Sequence, residues 1–143
     1  MTVARILARK GRHVTLAEPH ATLRDVVDIL AEKHIGALII ADVSGAMLGI
    51  VSERDVVRAI ANLGPDALDD AVSRHMTKEV VTARDDDSVM AIAQKMSSGR
   101  FRHMPVIENG RVVGIVSTGD AIKYRLEQME RDQDALREYI ATA

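Results

Sequence analysis

The chain contains no cysteine and no tryptophan. The first absence removes disulfides, thiolate nucleophiles and cysteine-ligated zinc together. Aromatic residues make up only 2% of the sequence, namely Phe101, Tyr124 and Tyr139. The core must therefore be aliphatic, and the chain lacks the several aromatics that a base-stacking platform for single strands needs. The net charge is -2, so no basic excess drives binding to a phosphate backbone by counterion release. Nucleic acid is not an expected partner. No uninterrupted apolar run approaches the ~18 residues of a membrane span. The opening MTVARILARKG breaks its apolar positions with charges and lacks a signal peptide's continuous core. A soluble, cytoplasmic chain with no membrane partner is the expectation. His13, His20, His34, His75 and His103 form no HExxH pattern and no tight ligand cluster. GxSxG elbows and Walker-type loops are also missing. The expectation is a protein that is not an enzyme and requires no metal.

What is present is a globular balance, with 47% apolar and 28% charged residues over 143 positions. That length suits about one ordinary domain with a proper core. It is also a repeated length. Residues 49–55 read GIVSERD and residues 114–120 read GIVSTGD, five of seven positions agreeing. Here the offset is 114 - 49 = 65, whereas upstream it is 66, pairing Val14 with Val80, Leu23 with Val89, Leu30 with Met96 and Ile40 with Val106. The one-residue difference falls where DVSGAM faces ENGRV, a turn in which length changes are tolerated.

Each copy carries the same order of local signals. A β-rich stretch, HVTL or EVVT, leads to a polar segment whose Thr22 or Ser88 suits a helix N-cap. Helical spacing follows through Leu23, Val26, Val27 and Leu30, and through Val89, Ile92, Ala93 and Met96. Two apolar runs come next, separated by Ser44-Gly45 in one copy and by Asn109-Gly110 in the other. Such dipeptides signal a hairpin. A second helix closes each unit, over 53–63 and from about 118 to 140. A β-α-β-β-α unit leaves one sheet face open, and two copies bury those faces against each other. The expected fold is α/β with pseudo-twofold symmetry and a long C-terminal helix. Residues 1–63 form the first repeat with its N-terminal helix, 64–78 the linker, and 79–143 the second repeat.

Paired units ending in G-apolar-x-Ser/Thr-x-x-Asp, with RHMPV at 102–106 and HMT at 75–77, resemble a tandem CBS pair. This is the cystathionine-β-synthase-type domain, whose pairs are called Bateman modules, here as a stand-alone protein. The resemblance covers nearly the whole chain. It implies a regulatory sensor without catalysis of its own, with an adenosine-containing ligand in clefts between the repeats. AMP, ADP, ATP, S-adenosylmethionine and NAD(H) are the implied candidates. It also implies association as a homodimer.

The motif has a chemistry of its own. Ser52 and Ser117 end a strand, and Asp55 and Asp120 fall in the first turn of the next helix. Unpaired amides at a helix start suit a phosphate, and a serine hydroxyl adds a donor. An ionised aspartate accepts both protons of a ribose diol. Alternatively, the serines are N-caps and the aspartates complement the helix dipole. On the ligand reading, Asp55 and Asp120 hold ribose. Ser52 and Arg54 in the first copy, and Ser117, Thr118, Arg100, Arg102 and His103 in the second, hold phosphate. The role of Arg102 is carried over from the resemblance; the first copy has Gly36 there. The nearby acidic ARDDDS segment opposes an anion, and Arg100 and Arg102 also suit a solvated edge strand. Adenine walls are Val14, Ile35 and Ala37 in one copy and Val81, Phe101, Met104 and Pro105 in the other, positions that core packing also explains. The two clefts are expected to differ in affinity, with at most one tight.

Ile122, Leu126, Met129, Gln133, Leu136 and Ile140 follow at spacings of 4, 3, 4, 3, 4, a heptad seam with one polar residue. The helix packs either on its own domain or across to a partner subunit. Two functions remain open on these residues. One is an adenine-nucleotide sensor that signals to an unknown effector protein; the other is a structural dimerisation module without a physiological nucleotide.

Overall fold

In the computed structural model, which describes residues 2–142, the two copies become two matching halves. The first contains β1 (Leu16–Ala17), α2 (Leu23–Lys33), β2 (Ala37–Ala41), β3 (Met47–Ser52) and α3 (Glu53–Leu63). Its sheet runs in the order β1-β2-β3, with β1 parallel and β3 antiparallel to β2. The second half contains α4 (Val89–Gly99), an antiparallel pair of β4 (His103–Glu108) and β5 (Arg111–Ser117), and α5 (Thr118–Thr142). Among the described residues, no helix is long and apolar enough to cross a membrane.

Local chemistry sets the boundaries. Thr22 caps α2 in a full capping box with Asp25, and Ser88 accepts from the Ala91 amide at the start of α4. Asn109 and Gly110 form the turn between β4 and β5, both at positive φ (52° and 76°). That is the twist a two-residue hairpin demands. The first copy's longer turn is organised instead by Asp42, whose Oδ1 accepts from the amides of Ser44 and Ala46. This is where the extra residue is absorbed.

One expected strand is nearly absent. EVVT forms no ladder, and only Ala83 bridges Val106 in parallel. In the first copy, Leu16 pairs with Ile39 and Ala17 with Ile40. Moving 66 residues on, the second rung survives as Ala83 with Val106, while the first falls on Pro105. A parallel rung there needs the amide of residue 105, which proline lacks.

Among the described residues, three apolar clusters hold the molecule. One belongs to the first half, with Leu23, Val26, Leu38, Ile40, Val51 and Val56 joined by Ala67 and Val72 of the linker. A second surrounds Ile92, Met96, Met104, Val106 and Val116. The third lies between the halves, where Ala37, Ile39 and Ile50 meet Val14, Val80, Val112 and Ile115. This third cluster is the burial of open sheet faces that the duplication demands.

The N-terminal helix crosses over. In chain order α1 (Val3–Lys10) precedes the first repeat, yet Val3, Ile6 and Leu7 are buried in the second core. Thr2 bridges Ser88, and the Val3 amide donates to the Asp87 carbonyl at 2.9 Å. The linker mirrors this arrangement on the first half: Ala71 bridges Thr22, and the Val72 amide donates to the Ala21 carbonyl at 2.7 Å. Within the linker, short 3-10 turns at Pro65–Asp69 and Val72–Arg74 carry the buried residues. Each repeat is thus closed by the segment that precedes the other. Hydrophobicity says that Val3, Ile6 and Leu7 need cover, but not which core supplies it.

Candidate ligand clefts between the repeats

Both motif copies build the same local device. The Ser52 hydroxyl accepts from the Asp55 amide, and Asp55 Oδ2 accepts from the Ser52 amide at 2.9 Å. Likewise, Ser117 Oγ accepts from the Asp120 amide at 3.0 Å, and Asp120 Oδ2 from the Ser117 amide at 2.9 Å. These are reciprocal capping boxes, so the helix-cap reading of these four residues holds in the structure. It leaves room for a ligand, because each carboxylate spends Oδ2 on the box. Among the described residues, Oδ1 of Asp55 and of Asp120 takes no hydrogen bond.

Each helix start is also pinned to the opening of its own hairpin. The Glu53 amide donates to the Gly36 carbonyl at 3.0 Å, and the Thr118 amide to the Arg102 carbonyl at 2.9 Å. The helix before each hairpin ends on a left-handed residue, His34 (φ 54°) or Arg100 (φ 57°). Ser-x-x-Asp and the hairpin's first residues therefore always travel together.

What faces each motif comes from the other repeat. One cleft places Ser52, Glu53, Arg54, Asp55 and Arg58 opposite Glu79, Val80, Val81, Arg100, Phe101, Arg102 and His103. Arg54 spans it, donating from Nη1 to the Arg100 carbonyl at 3.2 Å. The residues that sequence order divides between two copies are thus gathered into one site: Arg54 with Arg100, Arg102 and His103. Arg58 joins them, one helical turn beyond Arg54 on α3. Helical spacing from Arg54 is the signal that points to it.

The other cleft combines Val14, Ile35 and Ala37 of the first repeat with Ser117 and Ile115 of the second. Its polar lining is Lys10, His13, Thr15, His34 and His103. Asp120 does not line this cleft directly. Lys10 does, and its ammonium donates to Asp120 Oδ2 at 2.7 Å and to the Ile115 carbonyl at 2.8 Å. Burial pushes the Asp120 carboxyl up. The hydrogen bonds from Lys10 and the Ser117 amide, with the Lys10 charge, outweigh that and hold it below the usual carboxylate value. Arg9 pairs with Glu127, so α1 grips α5 by two ion pairs.

Besides Asp120, three more of the residues expected in the clefts lie elsewhere. Met104 is fully buried in the second core, and Pro105 is buried beside it. Met104 packs into the second core, while Pro105, the next residue along β4, points to the opposite face of the strand and lines neither cleft. The Thr118 hydroxyl turns to Met96 Sδ at 3.6 Å and faces a different groove.

His103 and Gly36 line both clefts, which places them between the two sites. A Cβ on Gly36 would come within 3.1 Å of the imidazole, so glycine there makes room for the histidine. Burial holds the His103 pKa below its ordinary value, and the charges of Lys10 and Arg102 add to that effect. Glu53 and Asp120 oppose it. Among the described residues, no group of three or more His, Cys, Asp or Glu is arranged to hold a metal.

Comparison with known proteins gives a consistent set of relatives. A family model described as CBS domain matches residues 3–62 and again 71–127. A CBS-domain containing protein from Agrobacterium tumefaciens is 41% identical with a TM-score of 0.86, over 87% of this chain and 99% of that one. The CBS domain pair of protein MJ0100 was crystallised with 5′-methylthioadenosine and S-adenosyl-L-methionine. It is 28% identical with a TM-score of 0.80, covering 90% of this chain and 98% of its own. An uncharacterised 17.7 kDa protein from Acidianus ambivalens is 32% identical over 80% of this chain and 68% of its own length. Against several Arabidopsis thaliana CBS domain-containing relatives, this chain spans only about a fifth of their length, 20% for one of them.

Proposed function

The chain belongs to the CBS-domain family as a tandem pair, and on that premise we propose that it is a non-catalytic regulatory module for an adenosine-containing ligand. The ligand sits between the repeats, and its occupancy is passed to a partner protein. The observation that carries this reading is the cleft at Asp55. There Asp55, whose capping box occupies only one of its carboxylate oxygens, lines a cleft together with Val80, Val81 and Phe101 and with four arginines. Ribose hydroxyls donate to Asp55, the base lies against the apolar wall, and a phosphate meets Arg54, Arg58, Arg100 or Arg102. The ligands of the MJ0100 pair support the adenosyl class. The arginines favour a phosphate-bearing member of that class, such as AMP, ADP or ATP, at this cleft.

The second cleft is the weaker site, because Lys10 already holds Asp120. Signalling requires that the ligand bind two arrangements of the module with different affinity. Arg54, which reaches across to the Arg100 carbonyl, is placed to report occupancy from one repeat to the other. The module acts as a homodimer.

Calorimetric titration with AMP, ADP, ATP, S-adenosylmethionine and NADH tests the reading. At least one phosphate-bearing ligand is expected to bind, and Asp55→Ala to weaken it. Flat titrations for all five at millimolar ligand would overturn the proposal and leave a structural dimerisation module.

A further inference from the structure

The last helix exposes more apolar surface than its own domain uses. In α5 only Ala121 is buried, and every residue from 129 to 142 is exposed. Ile122, Leu126, Met129, Leu136 and Ile140 are each 54% to 65% exposed. They form one stripe with Gln133. Ala121 and Tyr124, which face the second core, lie roughly 100° or more around the helix from that stripe. A free helical stretch of about this length is marginal in water without a partner.

The charges beside the stripe state which partner fits. With Leu126, Gln133 and Ile140 at heptad position a, Ile122, Met129 and Leu136 fall at d. Arg125 and Asp132 are then at g, and Lys123, Glu130 and Arg137 at e. In a parallel in-register pair, each g residue meets the e residue five positions on in the other helix. Arg125 meets Glu130 and Asp132 meets Arg137, opposite charges in both cases and on both sides of the pair. Gln133 meets its own copy, and two amides satisfy each other's donors and acceptors.

The antiparallel pair of the same stripe does the reverse. It sets Lys123 against Arg137, Glu130 against Glu130 and Asp132 against Asp132, and it faces Gln133 with Met129. Each of these contacts is unfavourable, so the sequence selects against that orientation as well as for the other. We infer that the exposed seam of α5 pairs in parallel and in register with the α5 seam of a second copy of this chain.

This inference rests on the self-association proposed above and is independent of the ligand. Because the chain has no cysteine, single substitutions report the pairing without ambiguity. Full-length Gln133→Cys, Met129→Cys and Asp134→Cys are oxidised at low micromolar concentration, after circular dichroism confirms their fold. The wild-type assembly state is read by sedimentation velocity. Gln133→Cys and Met129→Cys are each expected to cross-link with themselves, while Asp134→Cys, on the outer face, stays largely unlinked. Cross-linking only in a mixture of the first two would establish the antiparallel arrangement and overturn the inference. A wild-type dimer with all three variants unlinked overturns the helix pairing alone. A wild-type monomer overturns the self-association as well. As a second readout, Glu130→Lys is expected to weaken the dimer several-fold and Arg125→Glu in the same chain to restore it; failure of that rescue also counts against the parallel register.

Discussion

The Lys10 ammonium lies 2.7 Å from Asp120 Oδ2, at the carboxylate matching the one that Asp55 leaves open in the other cleft. A ligand that places ribose hydroxyls on Asp120 must compete with that pair. Lys10→Met is therefore expected to tighten second-cleft binding of a ligand without phosphate, such as 5′-methylthioadenosine. An exposed pair is worth up to ~1 kcal/mol, so the gain is at most about fivefold. Calorimetry on wild type and variant reads it directly. Weaker binding in the variant would mean that Lys10 is a ligand contact rather than a competitor.

Arg102 stands in the second repeat but lines the cleft of the first repeat's Asp55. Arg102→Ala should weaken ATP binding at that cleft by about fivefold, on the order of 1 kcal/mol for an exposed charge-assisted contact. Asp120→Ala, although closer to Arg102 in sequence, should leave this affinity unchanged. If Asp120→Ala removes the effect of Arg102→Ala, the division of residues between the clefts is wrong.

His103 lies between the clefts with its pKa held down, first by burial and then by Lys10, with Arg102 adding and Glu53 and Asp120 opposing. When a folded pKa lies below the unfolded value of ~6.5, the unfolded chain binds more protons in the window between them. Stability contributed by neutral His103 is present above pH ~6.5 and falls away as the pH drops towards the folded pKa. His103→Gln should flatten the loss of the urea midpoint between pH 7.5 and 5.5. Equal slopes for wild type and variant would remove His103 from the acid response.

The glycine that opens each motif is needed for close approach, against different neighbours. A Cβ on Gly49 would lie 2.6 Å from the Thr77 carbonyl oxygen, backbone that also pairs with Ile50. On Gly114 it would lie 2.8 Å from the methyls of Leu7, the far end of a flexible side chain. Gly49→Ala is expected to cost ~2–3 kcal/mol and Gly114→Ala about 1 kcal/mol, since side chains repack more readily than backbone shifts. Urea unfolding of the two variants checks the order. The reverse order would indicate that α1 is the less yielding of the two covers.

The sequence by itself determined the units. Helical spacing, the caps at Thr22, Ser52, Ser88 and Ser117, and the Asn109-Gly110 turn are local interactions, and local interactions are written in neighbouring letters. The duplication added that two such units bury their sheets together. Even the missing rung at Pro105 is readable from one residue, once the repeat is aligned.

Tertiary structure alone decided which residues share a site. Arg54 and Arg102 sit 48 positions apart and in different copies, yet line one cleft. Lys10 closes on Asp120, 110 positions away. No spacing rule carries that information, because it arises from two open sheet faces meeting about a pseudo-twofold axis. Burial of Ala37, Ile39 and Ile50 against Val112 and Ile115 sets that meeting, and the motif of each repeat is then turned towards the strands of the other.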